Sequence, residues 1–314
     1  MNMQASEHSR RILMKISLIG LGAIGASYAA ILNRHAGVDL TVVLDDDRLK
    51  RYREQELLVN GAVQTFNYVG ANEASEPADL VIIAVKYQDL PDAIQAVKHH
   101  VGEQTTIMSL LNGIDSEEII GEVYGMDKML YSMCLGIDAQ RSGLKVDYGS
   151  AGRIVFGEKS GELTDRVEKI KKTFELAGVP YECPKDMYKK LWWKFMINVC
   201  SNQPTAILGA NYHYLNTQHG HELMAMIVQE VRAVALKKGV EITDEDFKAW
   251  LVILEKMVPE SKTSMLQDID AGRLTEVDMF AGVIRKLGAE LGVSTPYNDM
   301  MYHMLKMKEQ INRK

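Results

Sequence analysis

The chain has few cysteines, no long apolar run and no basic tract, and each shortage narrows what it can be. Cys134, Cys183 and Cys200 stand far apart in apolar surroundings, with no C-x-x-C pair among them. That usage fits reduced structural thiols in a cytoplasmic protein. No nearby His or Arg suggests a stabilised thiolate. No stretch approaches the ~20 apolar residues of a membrane span, so no membrane partner is expected. Residues 1–14 are polar, contain Arg10-Arg11 and lack the apolar core of a signal peptide; they read as a flexible tail. The net charge is −6, and basic and aromatic residues nowhere interleave, which argues against nucleic acid as a partner. An anionic ligand must therefore be captured by local lysines, not by the field of the whole molecule. Internal repeats and low-complexity tracts are also missing.

What remains is an ordinary globular composition. The 314 residues are 46% hydrophobic and 25% charged, enough for one large or two medium domains with a sizeable core. The first half alternates strand and helix signals. Strands are expected at Ile16 to Ile19, Leu40 to Leu44, Leu80 to Val85 and Thr105 to Leu111, and helices at Ala23 to Asn33 and Gln88 to His100. Leu80 to Val85 is continuously apolar, as a strand covered on both faces should be. Weaker signals place strands at Met129 to Ile137 and Arg153 to Gly157 and a helix at Leu163 to Ala177. From about Lys185 only helical patterns follow, at Met187–Asn202, His221–Lys238, Asp244–Met257, Thr275–Leu291 and Pro296–Gln310. The expected class is α/β: an open parallel sheet with helices on both faces over 15–184, then an all-helical domain over 185–314. Among the 18 methionines, Met300, Met301, Met304 and Met307 cluster near the C-terminus. They read as core or as a helix–helix interface, through which a homodimer is plausible, and not as metal ligands. No residue is expected to hold a metal.

Gly20-Leu21-Gly22-Ala23-Ile24-Gly25 matches G-x-G-x-x-G between a predicted strand and a predicted helix. The first glycine makes the tight turn, the second lets a pyrophosphate approach the backbone, and the third lets the helix pack close to the sheet. Asp45 follows about 20 positions on, at the end of the second strand, where a carboxylate bonds an adenosine ribose. It would repel a 2′-phosphate and so favour NADH, although Asp45-Asp46-Asp47-Arg48 could equally cap the next helix. Lys86 and Asn112 lie at carboxyl ends of predicted strands, where open α/β sheets bind ligands. The bland readings are a solvated strand end for Lys86 and ordinary Asn-Gly turn chemistry for Asn112.

Lys194, Asn198 and Asn202 recur every fourth residue in an otherwise apolar helical segment that holds Trp193, Phe195, Met196, Ile197 and Val199. They form one stripe along the helix. Buried polar groups cost free energy unless paired, so the stripe resembles the floor of a site for a small polar ligand. Lys194 suits a proton donor beside a hydride-transferring cofactor; the bland reading is a lysine that snorkels to the surface. A second constellation runs from Ser264-Met265-Leu266-Gln267-Asp268 to Thr275-Glu276-Val277-Asp278. Helix capping by Thr275 and Asp278 would explain Thr275 but not Glu276.

With these residues in hand, the chain resembles the ketopantoate reductase family from Lys15 to about Met307. The likeness rests on the glycine fingerprint, Ala-Val-Lys86, Leu-Leu-Asn112-Gly, Lys194-x3-Asn198-x3-Asn202, Thr-Ser264-Met-Leu-Gln-Asp and Thr-Glu276-x-Asp278. It implies a Rossmann domain, a helical domain and a site in the cleft between them. The implied reaction is NADPH-dependent reduction of ketopantoate to pantoate, on the route to pantothenate and coenzyme A. Lys194 would be the general acid and Glu276 would bind the substrate and help position that lysine. Asn198 and Asn202 would hold the substrate's hydroxyl end and Ser264 its carboxylate, while Lys86 and Asn112 would sit between nicotinamide ribose and substrate. Two departures stand out. Asp45 occupies a place where NADPH-using members often carry a basic residue, which admits NADH. Gln203 precedes Pro204 where a proline commonly follows the last asparagine directly, so the pocket floor is expected to differ there. A reductase of another small 2-keto or hydroxy acid is the alternative within enzymes. A non-catalytic NAD(P)-sensing module is the alternative outside them, and it leaves the Lys–Asn–Asn stripe and Glu276 unexplained.

Overall fold

The computed structural model describes residues 14–312, so the expected tail over residues 1–13 lies outside the described residues. Met14, placed in that tail by its sequence, is the buried first residue of a strand. The chain forms two compact units. One runs to Leu111 and from Ser116 to Met187; the other takes Asn112–Asp115 and everything from Tyr188.

The first unit contains, in order, β1 Met14–Ile19, α1 Ala23–Leu32, β2 Val38–Leu44, α2 Asp46–Glu54, β3 Leu57–Val59, β4 Ala62–Gln64, β5 Asn67–Gly70 and β6 Leu80–Ile83. Then follow α3 Leu90–Ala96, β7 Thr106–Ser109, α4 Ser116–Tyr124, β8 Met129–Ile137, β9 Gln140–Ser142, β10 Lys145–Asp147, β11 Ala151–Gly157, α5 Asp165–Ala177 and β12 Tyr181–Glu182. The main sheet has the order β12-β11-β8-β7-β6-β1-β2-β5. From β8 through β5 every pairing is parallel. All four residues of β6 are fully buried, which is why its sequence is an unbroken apolar run. The chain builds outward from β1 to β2 and β5, then returns to lay β6 on the other side of β1. Open α/β sheets bind ligands at such a reversal, outside the carboxyl ends of the strands.

The expectation of a parallel sheet needs one correction, because β11 pairs antiparallel with β8. Antiparallel neighbours need no helical crossover. The chain between β8 and β11 instead carries β9 and β10, which join β3 and β4 in a small four-stranded sheet. The core of this unit packs Tyr28 and Leu32 of α1 with Ile16 and Leu18 of β1, and sets Phe156 edge-on to Phe174 with ring centroids 5.5 Å apart.

The second unit is helical: α6 Met187–Leu208, whose first residue belongs with the first unit, α7 Tyr212–Leu215, α8 Gln218–Lys237, α9 Asp244–Leu254, α10 Ser264–Asp270, α11 Val283–Leu291 and α12 Pro296–Asn312. A π-helical turn, Asp278–Gly282, leads into α11, so the helix expected from Thr275 starts later and irregularly. Trp192 and Phe195 of α6 and Phe280 of the π turn are almost wholly buried, and adjacent rings meet edge to face. α6 outruns its expected end at Asn202 despite Pro204 in its interior. A proline there deprives the Cys200 carbonyl of its helical donor. Side chains steady the turn around it: Gln203 donates to the Val199 carbonyl at 3.0 Å, and the Thr205 hydroxyl donates to the Ser201 and Asn202 carbonyls at 2.8 and 3.0 Å. Among the described residues no helix is long and apolar enough to cross a membrane.

Candidate active site

In the first unit the glycine fingerprint is the turn from β1 into α1. Gly20 has φ +101°, and a Cβ on it would meet the Ala84 carbonyl oxygen, just past β6, at 2.3 Å. A Cβ on Gly25 would fall 1.9 Å from the Gly20 carbonyl oxygen. The fold itself demands both glycines. Gly22 is different: its φ is −67° and a Cβ there would meet nothing within 4 Å. No protein atom requires glycine at that N-cap, whereas a diphosphate drawn close to the backbone does. Leu21, Ala23 and Ile24 complete the turn, and α1 has neither a side-chain cap nor an acidic residue in its first turn to compete with an anion. These residues therefore fit a dinucleotide.

Asp45 is the N-cap of α2. Its Oδ1 accepts from the Arg48 amide at 2.8 Å and its Oδ2 lies 3.4 Å from Arg48 Nε. The capping role is thus present, on an exposed carboxylate at the carboxyl end of β2. Lys86 is exposed just beyond β6, which ends at Ile83 and not at Val85 as expected, and it opens a short 3-10 turn, Tyr87–Asp89. Arg141, on β9, is a residue that sequence reasoning missed. It donates to the Leu21 carbonyl in the glycine turn, to the Tyr52 hydroxyl at 2.7 Å and to the Gly143 carbonyl at 2.8 Å. No local pattern marks an arginine whose partner in the turn is 120 residues away.

In the second unit α6 carries the stripe. Lys194 and Asn198 are partly buried and Asn202 is buried. Lys194 Nζ donates to Asn112 Oδ1 at 2.8 Å, and Asn112 Nδ2 donates to Glu276 Oε2 at 3.4 Å. A cation on one side and a carboxylate on the other define which way the Asn112 amide faces. Asn112, which lies in the first half of the sequence, is thus grouped with the helical residues and bridges Lys194 to Glu276. Further along the stripe Asn202 Nδ2 donates to Asn198 Oδ1 at 3.4 Å.

Ser264 is the exposed first residue of α10. The cap before it is Thr263, whose hydroxyl accepts from the Leu266 amide at 3.3 Å and meets the Thr205 hydroxyl of α6 at 2.7 Å. Thr275 and Asp278 do not make the capping pair that their spacing suggests. The Thr275 amide and hydroxyl both donate to Glu309 Oε1, at 2.8 and 2.6 Å. Asp278 accepts from the Tyr302 hydroxyl at 2.9 Å and from Lys306 Nζ at 2.5 Å. Glu309 was missed from sequence, yet a signal existed: Asn298, Met301, Leu305 and Glu309 form the buried stripe of α12, a polar interruption like that of α6. Burial pushes the Cys200 thiol up to about 12 and Cys183 to about 11, away from the thiolate.

A glycine turn at the reversal of an α/β sheet, with a helical unit that gathers a lysine, a carboxylate and three amides, defines a nicotinamide-dependent oxidoreductase in two parts. Residues 16–161 match the family model for ketopantoate reductase PanE/ApbA, and 186–309 match the model for its C terminal. A 2-dehydropantoate 2-reductase of Aquifex aeolicus is 32% identical over 312 residues, spanning 96% of this chain and 99% of its own. The chain belongs to the ketopantoate reductase family. Its fold is also that of a crystal structure of 2-dehydropantoate 2-reductase from Methylococcus capsulatus, with TM-score 0.82 and 25% identity over 96% of this chain and 98% of that one. A D-mandelate dehydrogenase solved with NADH and anilino(oxo)acetate shares the fold at TM-score 0.85, with 24% identity over 96% and 99% of the two chains.

Proposed function

We propose that this protein is a 2-dehydropantoate 2-reductase, which reduces ketopantoate to pantoate in the cytoplasm, on the route to pantothenate and coenzyme A. The observation that carries the reading is the hydrogen-bonded run Lys194–Asn112–Glu276 in a chain of this family. Gly20 to Gly25, Asp45 and Lys86 would hold the cofactor, which supplies the hydride when bound. As the keto carbon is reduced, its oxygen becomes an alkoxide and takes a proton from a positioned donor. Lys194 is that donor. Asn112 steadies its Nζ, and Glu276 steadies Asn112 and accepts a hydrogen bond from the substrate. Asn198 and Asn202 bind the hydroxyl end of the substrate and Ser264 its carboxylate. By the family resemblance, Asn112 would also contribute to cofactor binding.

NADPH is the cofactor the family resemblance favours, and Asp45 admits NADH because a carboxylate there bonds an unphosphorylated ribose. The test is steady-state kinetics on the purified protein with ketopantoate, NADPH and NADH in parallel, beside a panel of branched and unbranched 2-keto acids. Ketopantoate-dependent oxidation of NADPH, with NADH slower, is expected. Turnover of another 2-keto acid in preference to ketopantoate would move the substrate, and silence across the panel would remove the enzymatic reading.

A further inference from the structure

Gln203 takes no part in the chemistry above, yet it is a fully buried polar side chain next to Asn202. Its amide is used from both sides. Oε1 accepts the Ala281 amide of the π turn at 3.1 Å. Nε2 donates to the Val199 carbonyl at 3.0 Å and to Asn298 Oδ1 at 3.4 Å. Asn298 is itself held by Glu230 of α8, which accepts its amide and its Nδ2 at 3.0 and 2.8 Å.

The contact with Ala281 bears on Glu276, which lies just ahead of the π turn. The Glu276 carbonyl already accepts the Met279 and Phe280 amides, each at 3.1 Å, and Gly282 bonds back to Val277 at 2.9 Å. In this irregular winding the Ala281 amide is directed at a side chain from another helix. On the other flank, Thr275 is bonded twice to Glu309 of α12. Glu276 thus lies between two buried anchors, Glu309 on one side and Gln203 on the other.

We propose that Gln203 is a positioning residue: by holding the Ala281 amide it sets the backbone that aims Glu276 at Asn112. This rests on the reading of Glu276 as a carboxylate used in keto-acid reduction. Loss of the acceptor releases one end of the turn, and small misplacements near a reacting group are costly in rate.

The test is a double-mutant cycle on the full-length enzyme with ketopantoate and its preferred cofactor. Gln203→Leu, of similar size but without hydrogen bonds, should lower kcat about tenfold and leave cofactor Kd unchanged. In a Glu276→Gln background the same change should alter kcat less than about twofold, because residues that act through one another are not additive. A folded Gln203→Leu protein with wild-type kcat, or an undiminished loss in the Glu276→Gln background, would overturn the proposal. Wild-type kcat in Glu276→Gln alone would instead overturn the reading of Glu276. Should Gln203→Leu fail to fold, Gln203→Glu decides. Burial favours its neutral acid, which still accepts from Ala281, so kcat should stay within about threefold of wild type. A folded Gln203→Glu enzyme that loses tenfold or more, at about the scale set by misplacement, would contradict it.

Discussion

The three glycines that follow β1 serve different ends, and substitution separates them. A Cβ on Gly25 runs into the Gly20 carbonyl oxygen at 1.9 Å, an atom that cannot swing aside. Gly25→Ala is therefore expected to lower the melting temperature, in a thermal scan without cofactor. Gly22→Ala meets nothing in the protein. It should leave that scan unchanged and weaken cofactor binding about tenfold, measured by fluorescence titration, because only the pyrophosphate needs the space. His100 offers a second test at this scale. It is buried, its Nδ1 lies 2.8 Å from the Ser17 hydroxyl, and burial lowers its pKa from the ordinary 6.5, followed by the charge of His99. The folded state thus disfavours the imidazolium. The stability this confers is fully present above the unfolded value and is lost as pH falls from there through the lower folded value. The urea midpoint should drop over that window in the wild type and drop less in His100→Gln. An equal drop in both would exclude His100 as the source.

Single elements show how much could be read in advance. The stripe of Lys194, Asn198 and Asn202 was legible because α-helical periodicity turns spacing into a face. The turn of Gly20, Gly22 and Gly25 was legible because the G-x-G-x-x-G spacing between a strand and a helix is itself a local pattern. The bridge through Asn112 was not, since nothing periodic links it to a lysine 82 positions away. Nor was the π turn, whose Ala281 amide is satisfied by Gln203 of a distant helix and whose preceding Thr275 is held by Glu309. The Thr275–Asp278 spacing looked like a cap because S/T-x-x-D/E is a local motif, and a tertiary partner won. Glu309→Leu would leave the buried amide and hydroxyl of Thr275 without their acceptor. It should destabilise the protein by about 1–3 kcal/mol in denaturant unfolding, and an unchanged midpoint would show that the contact contributes nothing.

For the molecule as a whole, the alternation of strand and helix signals and the cessation of strand signals near Pro184 conveyed the α/β and helical halves. β11 was expected as a strand but not in its antiparallel direction, and the small sheet escaped notice because β3, β4, β9 and β10 are three residues each, too short for a period of two to register. The methionine cluster divides. Met301 is buried, whereas Met300, Met304, Met307 and Ile311 present 53%, 42%, 62% and 66% of their surface along one side of α12. A homodimer through this side is the assembly we propose, and Met304→Glu should shift the protein to monomer in analytical ultracentrifugation. The division of labour can be tested in one comparison. The residues fitted to the cofactor belong to the first unit apart from Asn112, and the proposed proton donor, Lys194, belongs to the second. Removal of the amine should therefore separate binding from turnover. In wild type and Lys194→Ala, kcat for ketopantoate and Kd for the cofactor are to be measured on the same preparations. Expected is a loss in kcat of roughly 10²–10⁴-fold, the usual worth of a general acid, with cofactor Kd within about twofold. Undiminished turnover in Lys194→Ala would contradict the role given to this lysine.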